Sequence, residues 1–233
     1  MSPPTVAVLV TSCDAFCRAT LPPLLASLDE AGVPRRDVFV VAGDAQERAR
    51  TEVCGQTVTL VTWCNMDNNG LLWAVSDEGL EALAAYDWLF YVHDTTVAMP
   101  HFAAGLRDCL AEQLARDPEV AAVCLHAEFS MSMGYYRLSA LREIGPWLLS
   151  TASHDHDPAR KLEVKTWVED SAFRRIGDTL GGGRVGCIDS TYSYEDGLPS
   201  PYGGVPRRRE AWPRPGLYKY KGSWCLSRLQ LSL

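Results

Sequence analysis

Several short stretches of this chain combine residue types that could do chemistry. His93-Asp94-Thr95 follows Trp88 to Val92, an apolar run that switches abruptly to polar residues. Glu169-Asp170 sets two carboxylates side by side, and a positioned carboxylate can take a proton from a substrate hydroxyl. Asp44 closes the run Val38 to Ala42, and Thr11-Ser12-Cys13-Asp14 continues another, Val6 to Val10. His154-Asp155-His156-Asp157 alternates imidazole and carboxylate, both ligands of divalent ions, although such alternation on a loop is more often a set of solvated side chains. Arg207-Arg208-Arg209, followed by Trp212 and Tyr218, could close over an anion as a lid or remain an exposed basic tail. Each stretch has a plain structural alternative. The first is a strand ending in a hydrophilic turn, Asp44 caps a helix over Ala45 to Thr51, and Glu169-Asp170 sits near a helix N-terminus where the macrodipole favours acids.

The elements that would position these residues alternate. Apolar runs at Thr5 to Thr11, Asp37 to Asp44 and Trp88 to Val92 suit strands covered on both faces, and Gln56 to Trp63 and Val120 to His126 read as further strands. Between them, Leu21, Leu24, Leu25 and Leu28 predict a helix ended by Gly32, and Asn69 could cap a helix running to about Tyr86. A further helix spans about His101 to Ala115. This is a doubly wound α/β pattern, whose strand ends open onto the ligand crevice. Beyond His126 the order loosens: Phe129 to Tyr136 reads as extended, Ser139 to Gly145 as a short helix, Ser150 to Asp157 as a polar, mobile loop. Lys165 to Ile176 reads as a helix opened by Thr166, Arg184 to Ile188 as a strand, and Tyr192 to Tyr220 as ordered loop or lid.

The 233 residues can bury a sizeable core, and 47% apolar with 22% charged is ordinary globular composition. A net charge of -7 argues against a nucleic-acid partner. From Val205 onward seven basic residues face one acid, a local +6 that leaves -13 on the rest, so the tail is expected to meet an anion. Eight cysteines form no CxxC and no paired zinc spacing. No secretory leader and no apolar run of membrane-spanning length is read in the chain. The expectation is a soluble, cytoplasmic protein, with peripheral membrane contact through the basic tail left open.

Five features in order, VLVTSCDA, FVVAGDA, NNGLLWAVSDEGLEAL, LFYVHDTTVAMPHF and WVEDSAFRR, resemble a GT-A glycosyltransferase, most similar to the inverting family-two type. The resemblance covers roughly residues 5 to 180. It implies a single GT-A (Rossmann-like) domain, with a central, mostly parallel sheet flanked by helices. Residues 5–126 would form the nucleotide-sugar half, 127–190 the acceptor side and 191–233 a basic loop or lid. It implies transfer of a sugar, with inversion, from a UDP-, GDP- or TDP-type donor to a hydroxyl of a glycan or small molecule. Thr11, Ser12 and Asp44 would hold the nucleotide, and His93, Asp94, Arg207 and Arg208 its diphosphate. Asp170 would be the general base with Glu169 as substitute, and His154 and His156 would face the acceptor. The family's D-x-D position, which holds Mg2+ or Mn2+, falls on Asp94 and Thr95, and Thr95 stands where a metal-ligating carboxylate is usual. The alternative is that a tail Arg or Lys supplies the positive charge. A GT-A-like binding module without catalysis and a sugar-1-phosphate nucleotidyltransferase are the other readings. The latter family opens with a Gly-rich, basic loop where this chain has Thr11-Ser12-Cys13-Asp14.

Overall fold

The computed structural model describes residues 3–125, 133–179, 185–188, 193–198, 201 and 207–220. The first strand, β1 (Val6–Cys13), is followed by α1 (Cys17–Glu30), β2 (Val38–Gly43), β3 (Ala49–Val53) and β4 (Gln56–Leu60). Two short helices, α2 (Asn69–Ala74) and α3 (Asp77–Ala82), lead to β5 (Trp88–His93), β6 (Thr96–Ala98) and α4 (Phe102–Arg116). Then come β7 (Ala122–Cys124), β8 (Gly134–Arg137), α5 (Leu138–Ser150), α6 (Pro158–Thr179) and β9 (Val185–Cys187). The last described strands are β10 (Ser193–Leu198), β11 (Arg207–Trp212) and β12 (Leu217–Tyr220).

Eight strands form one sheet in the order β3-β4-β2-β1-β5-β8-β7-β9. β4, β2, β1, β5, β7 and β9 point one way and only β3 and β8 run against them, so the sheet is mostly parallel, as expected. The apolar runs of β1 and β5 are continuous because both faces are covered. Val8, Val10, Phe90 and Val92 pack with leucines of α1 and with Phe102 and Leu106 of α4. Ala7, Leu9, Leu89 and Tyr91 pack with α2, α5 and Val168, Ala172 and Ile176 of α6. Alternate side chains thus feed two core layers.

Four expectations change. The alternative of a helix over Ala45 to Thr51 is not met: Ala49 to Val53 is the strand β3, joined to β4 by a two-residue hairpin. Cys54 and Gly55 both have positive φ, 51° and 72°, as a type I′ turn requires, so Asp44 caps nothing. The long helix from Asn69 splits at Ser76, whose Oγ accepts the Gly79 N–H at 3.3 Å and caps α3 above Asp77 and Glu78. Asn69 is the first residue of α2, and its carboxamide accepts the Asn65 N–H at 3.1 Å. Finally α6 begins at Pro158, not Thr166: Asp157 accepts the Ala159 N–H at 3.2 Å, and proline suits the first helical position. Glu169 and Asp170 therefore stand in mid-helix, beyond reach of the macrodipole that offered them a passive role.

The segment anticipated as loop or lid contains a second sheet, β10-β11-β12-β6, and Trp212 and Leu217 from it join the core beneath α4. Residues 129–132 and His126 lie outside the described residues, as do Lys221 and Arg228. Among the described residues no helix is long and apolar enough to cross a membrane.

Candidate functional site

β2 and β5 flank β1 on opposite sides, so the winding reverses beside β1, the position where open α/β sheets leave a crevice at their strand ends. Thr11 of β1 is in register with His93 of β5. One residue on, the Asp94 N–H donates to the Thr11 carbonyl at 3.0 Å. Asp94 Oδ2 accepts from Ser12 Oγ at 2.6 Å and from Thr20 Oγ1 at 2.5 Å. Burial, reinforced by the negative charge of Asp67 and opposed by these two hydroxyls, pushes the Asp94 carboxyl up to about 6.

Asp67 sits on a single 3-10 turn, Met66–Asn68, lying 3.8 Å from His93 Nδ1 and 3.1 Å from Lys165 Nζ. Although burial acts the other way, His93, Lys165 and Lys219 of β12 hold its carboxyl down at about 2. Lys165 also lies 3.2 Å from Glu169, one helical turn on. Burial raises the Glu169 carboxyl above the ordinary range, and Lys165 opposes that rise. Neighbouring Asn68 is buried, and among the described residues neither of its side-chain polar atoms has a hydrogen-bond partner, an arrangement that favours a ligand able to supply one.

A second group lies at the end of β2. Asp44 takes a left-handed backbone, φ 61°, rare outside glycine and better tolerated by Asp than by most residues. Its Oδ1 is 2.5 Å from Lys161 Nζ and 3.8 Å from His156 Nδ1. Its Oδ2 is 3.7 Å from Cys13 Sγ, and Cys64 Sγ is 3.4 Å from His156 Nδ1. The loop that carries His156 is stitched to the residues after β4, where the sequence suggested mobility. The Cys64 backbone N–H donates to the Ser153 carbonyl at 2.7 Å, the Asn65 side-chain amide to that of Thr151 at 2.8 Å, and His154 Nδ1 lies 3.0 Å from the Thr62 carbonyl.

Lys161, Lys165 and Glu169 recur every four residues, so one stripe of α6 serves both groups. The structure therefore brings Thr11, Ser12, Asp44, His93, Asp94, Glu169 and His156 to one edge of the sheet. Asp170 is exposed, one position further round α6. Thr95 accepts the Tyr220 N–H through its carbonyl at 3.0 Å. Arg207 and Arg208 lie on β11, with side chains outside the described residues. Sequence reasoning missed Asp67, Lys161, Lys165 and Lys219; the four-residue spacing of Lys161, Lys165 and Glu169 was the available signal for two of them, and Lys161 lay outside the expected helix. A groove of about 470 Å3 on the other flank of α6, lined by Ser153, Arg160, Glu163 and Trp167 among others, contains none of the residues singled out.

At Asp94 one carboxylate oxygen accepts two O–H groups, so Mg2+ or Mn2+ would be held there by the other oxygen together with waters and the ligand's phosphates, a donor set that Mg2+ accepts.

No protein-family model matches the chain, and no curated protein does. Among solved structures it is similar to a glycosyltransferase involved in the glycosylation of the major capsid of PBCV-1, at 14% identity and TM-score 0.46, covering 80% of this chain and 82% of that one. It is also similar to S. aureus TarS 1-349, at 11% identity and TM-score 0.40, covering 79% of this chain and 58% of that one. Likenesses this distant carry no functional conclusion, which has to come from the chain's own residues.

Proposed function

We propose that the protein is an inverting glycosyltransferase using a nucleoside diphosphate sugar. The observation that carries this reading is the convergence of Asp44, Asp94 and the Lys161-Lys165-Glu169 stripe at the point where the sheet reverses its winding. Thr11, Ser12 and Asp44 offer hydroxyl and carboxylate partners to a base and ribose, and Lys161 neutralises Asp44. The diphosphate lies toward Lys165 and Lys219, whose positive charge offsets that of the leaving group, with the His93 imidazole beside them. Mg2+ or Mn2+, if held at Asp94, would add to that charge stabilisation.

Glu169 serves as general base in preference to Asp170, because it faces the charged cluster while its neighbour faces solvent. Its carboxylate takes the proton of the acceptor hydroxyl as that oxygen bonds to the anomeric carbon. The bond from that carbon to the diphosphate oxygen breaks, and the diphosphate departs on the opposite face. The sugar passes through an oxocarbenium-like state, as in glycoside hydrolysis. The raised pKa of Glu169 makes its carboxylate a stronger base than an ordinary glutamate. Activity should therefore fall as pH drops through that raised value.

Thermal shift against UDP, GDP, TDP, CDP and ADP tests the donor class. One of them, at a hundredfold excess over its dissociation constant, should stabilise the chain by about 2.7 kcal/mol. Turnover of the corresponding nucleotide sugar should fall by about 10^2- to 10^4-fold in Glu169→Gln, with nucleotide affinity unchanged, and remain near wild type in Asp170→Asn. If none of the five shifts the melting temperature, the transferase reading is wrong. If the losses fall on Asp170→Asn alone, the base is Asp170.

A further inference from the structure

The second group has a composition that sugar transfer does not call for. Asp44, Cys64 and His156 come from the end of β2, the segment after β4 and the loop before α6, and their ligating atoms all lie within 4.8 Å of one another. This is one carboxylate oxygen, one sulfur and one imidazole nitrogen. Thiolate and imidazole are ligands of Zn2+ and its softer neighbours, whereas Mg2+ and Mn2+ prefer oxygen. The spacing agrees as well. Zn–S near 2.3 Å and Zn–N and Zn–O near 2.0–2.2 Å, set at tetrahedral angles, give ligand-to-ligand edges of about 3.4–3.6 Å. Here Cys64 Sγ to His156 Nδ1 is 3.4 Å and His156 Nδ1 to Asp44 Oδ1 is 3.8 Å. We propose that Asp44, Cys64 and His156 form a Zn2+ site, its fourth position completed by Cys13 or by water.

The surroundings explain how such a site would behave. Cys64 is buried and the Asp44 side chain 18% exposed, while His156 lies at the surface with a side-chain exposure of 62% and gives an entry path. The backbone is held before any metal arrives, by the Cys64-to-Ser153 and Asn65-to-Thr151 hydrogen bonds and the His154 contact with Thr62. Zn2+ takes cysteine as the thiolate, so binding releases the Cys64 thiol proton and affinity should rise with pH. Lys161 now supplies positive charge to Asp44, and a divalent ion would supply it in the ammonium's place. This inference does not rest on the transferase reading. It does put the metal and a nucleotide in competition for Asp44.

The test uses reduced full-length chain without nucleotide, titrated with Zn2+ against a chromophoric chelator, and with Co2+ as a spectroscopic substitute. The expected result is one Zn2+ per chain and a thiolate-to-Co2+ charge-transfer band. His156→Ala and Cys64→Ser should each weaken binding by about 100-fold or more, with Cys109→Ser, a buried cysteine of α4, unchanged. Because Cys64 is buried, circular dichroism checks the fold of that variant, and exposed His156 carries the test if Cys64→Ser fails to fold. Binding that is equally tight in His156→Ala, or a Co2+ spectrum without a thiolate band, overturns the site.

Discussion

At the residue scale, Asp94 shows how the site departs from what stability alone would favour. Its carboxyl titrates near 6 in the fold against an ordinary 3.8. Between those values the folded chain keeps a proton that the unfolded chain has lost. The contribution to stability is therefore present below about 3.8 and is lost as pH rises through about 6. At one pKa unit per 1.36 kcal/mol the effect reaches at most about 3 kcal/mol, less for the part of the side chain that water still screens. Asp94→Asn keeps an oxygen to accept from Ser12 and Thr20 without the buried charge. It should gain on wild type as pH rises from 4 to 7, seen as diverging urea midpoints. Parallel pH curves for the two proteins would show that Asp94 is not buried as described. Asp67 runs the other way: its pKa, depressed to about 2, adds stability above about 3.8 that disappears as pH falls through 2.

At the element scale, β2 and α2 meet too closely for a side chain at Gly43. A Cβ there would lie 1.8 Å from Asn69 Nδ2, and Asn69 is held by its hydrogen bonds to the Asn65 N–H and the Met66 carbonyl. Gly43→Ala forces that carboxamide out of place, beside both Asp44 and the turn that carries Asp67. It should destabilise the chain by about 1–3 kcal/mol in urea unfolding. Gly145→Ala is the milder contrast: apart from its chain neighbours its Cβ would meet the Val75 side chain at 3.4 Å, and the gain from removing a mid-helix glycine is offset by crowding against the Pro146 ring, so stability should change by less than about 1 kcal/mol. Equal effects of the two would refute the close approach. The same scale explains why β3 escaped sequence reading. Ala49 to Val53 carries Arg and Glu as a solvated edge strand does, and its signal is the Cys54-Gly55 turn between two β-branched stretches, not an apolar run.

At the scale of the whole molecule, the second sheet is part of the same body as the first. Trp212 is fully buried and shares a core cluster with Val8, Phe90 and Phe102, β12 pairs with β6, and Arg214 is ion-paired with Glu112 of α4. Trp212→Ala should lower the stability of one cooperative transition by about 3–5 kcal/mol. A separate early transition in calorimetry, with the main one unmoved, would make the tail sheet an independent unit. The docking also accounts for the charge imbalance of the sequence: Lys219 reaches the acidic cluster of Asp67 and Glu169, so part of the basic tail faces its own chain.

The sequence by itself determined the alternation of strands and helices and the placing of polar residues at strand ends. Both follow from local physics, namely the apolar run of a strand covered on both faces and the switch to polar residues where the sheet stops. The resemblance added the expectation that Asp44, Asp94 and the Glu169-Asp170 pair act together. The tertiary structure alone decided which carboxylate of that pair faces inward. A helix turns its side chains by 100° per residue, and only the packing of Val168, Ala172 and Ile176 sets the angle at which α6 lies. It alone brought Asp44, Cys64 and His156 within ligand distance. Residues 20 and 92 positions apart carry no spacing signal, and only the sheet order and the stitched loop bring them together.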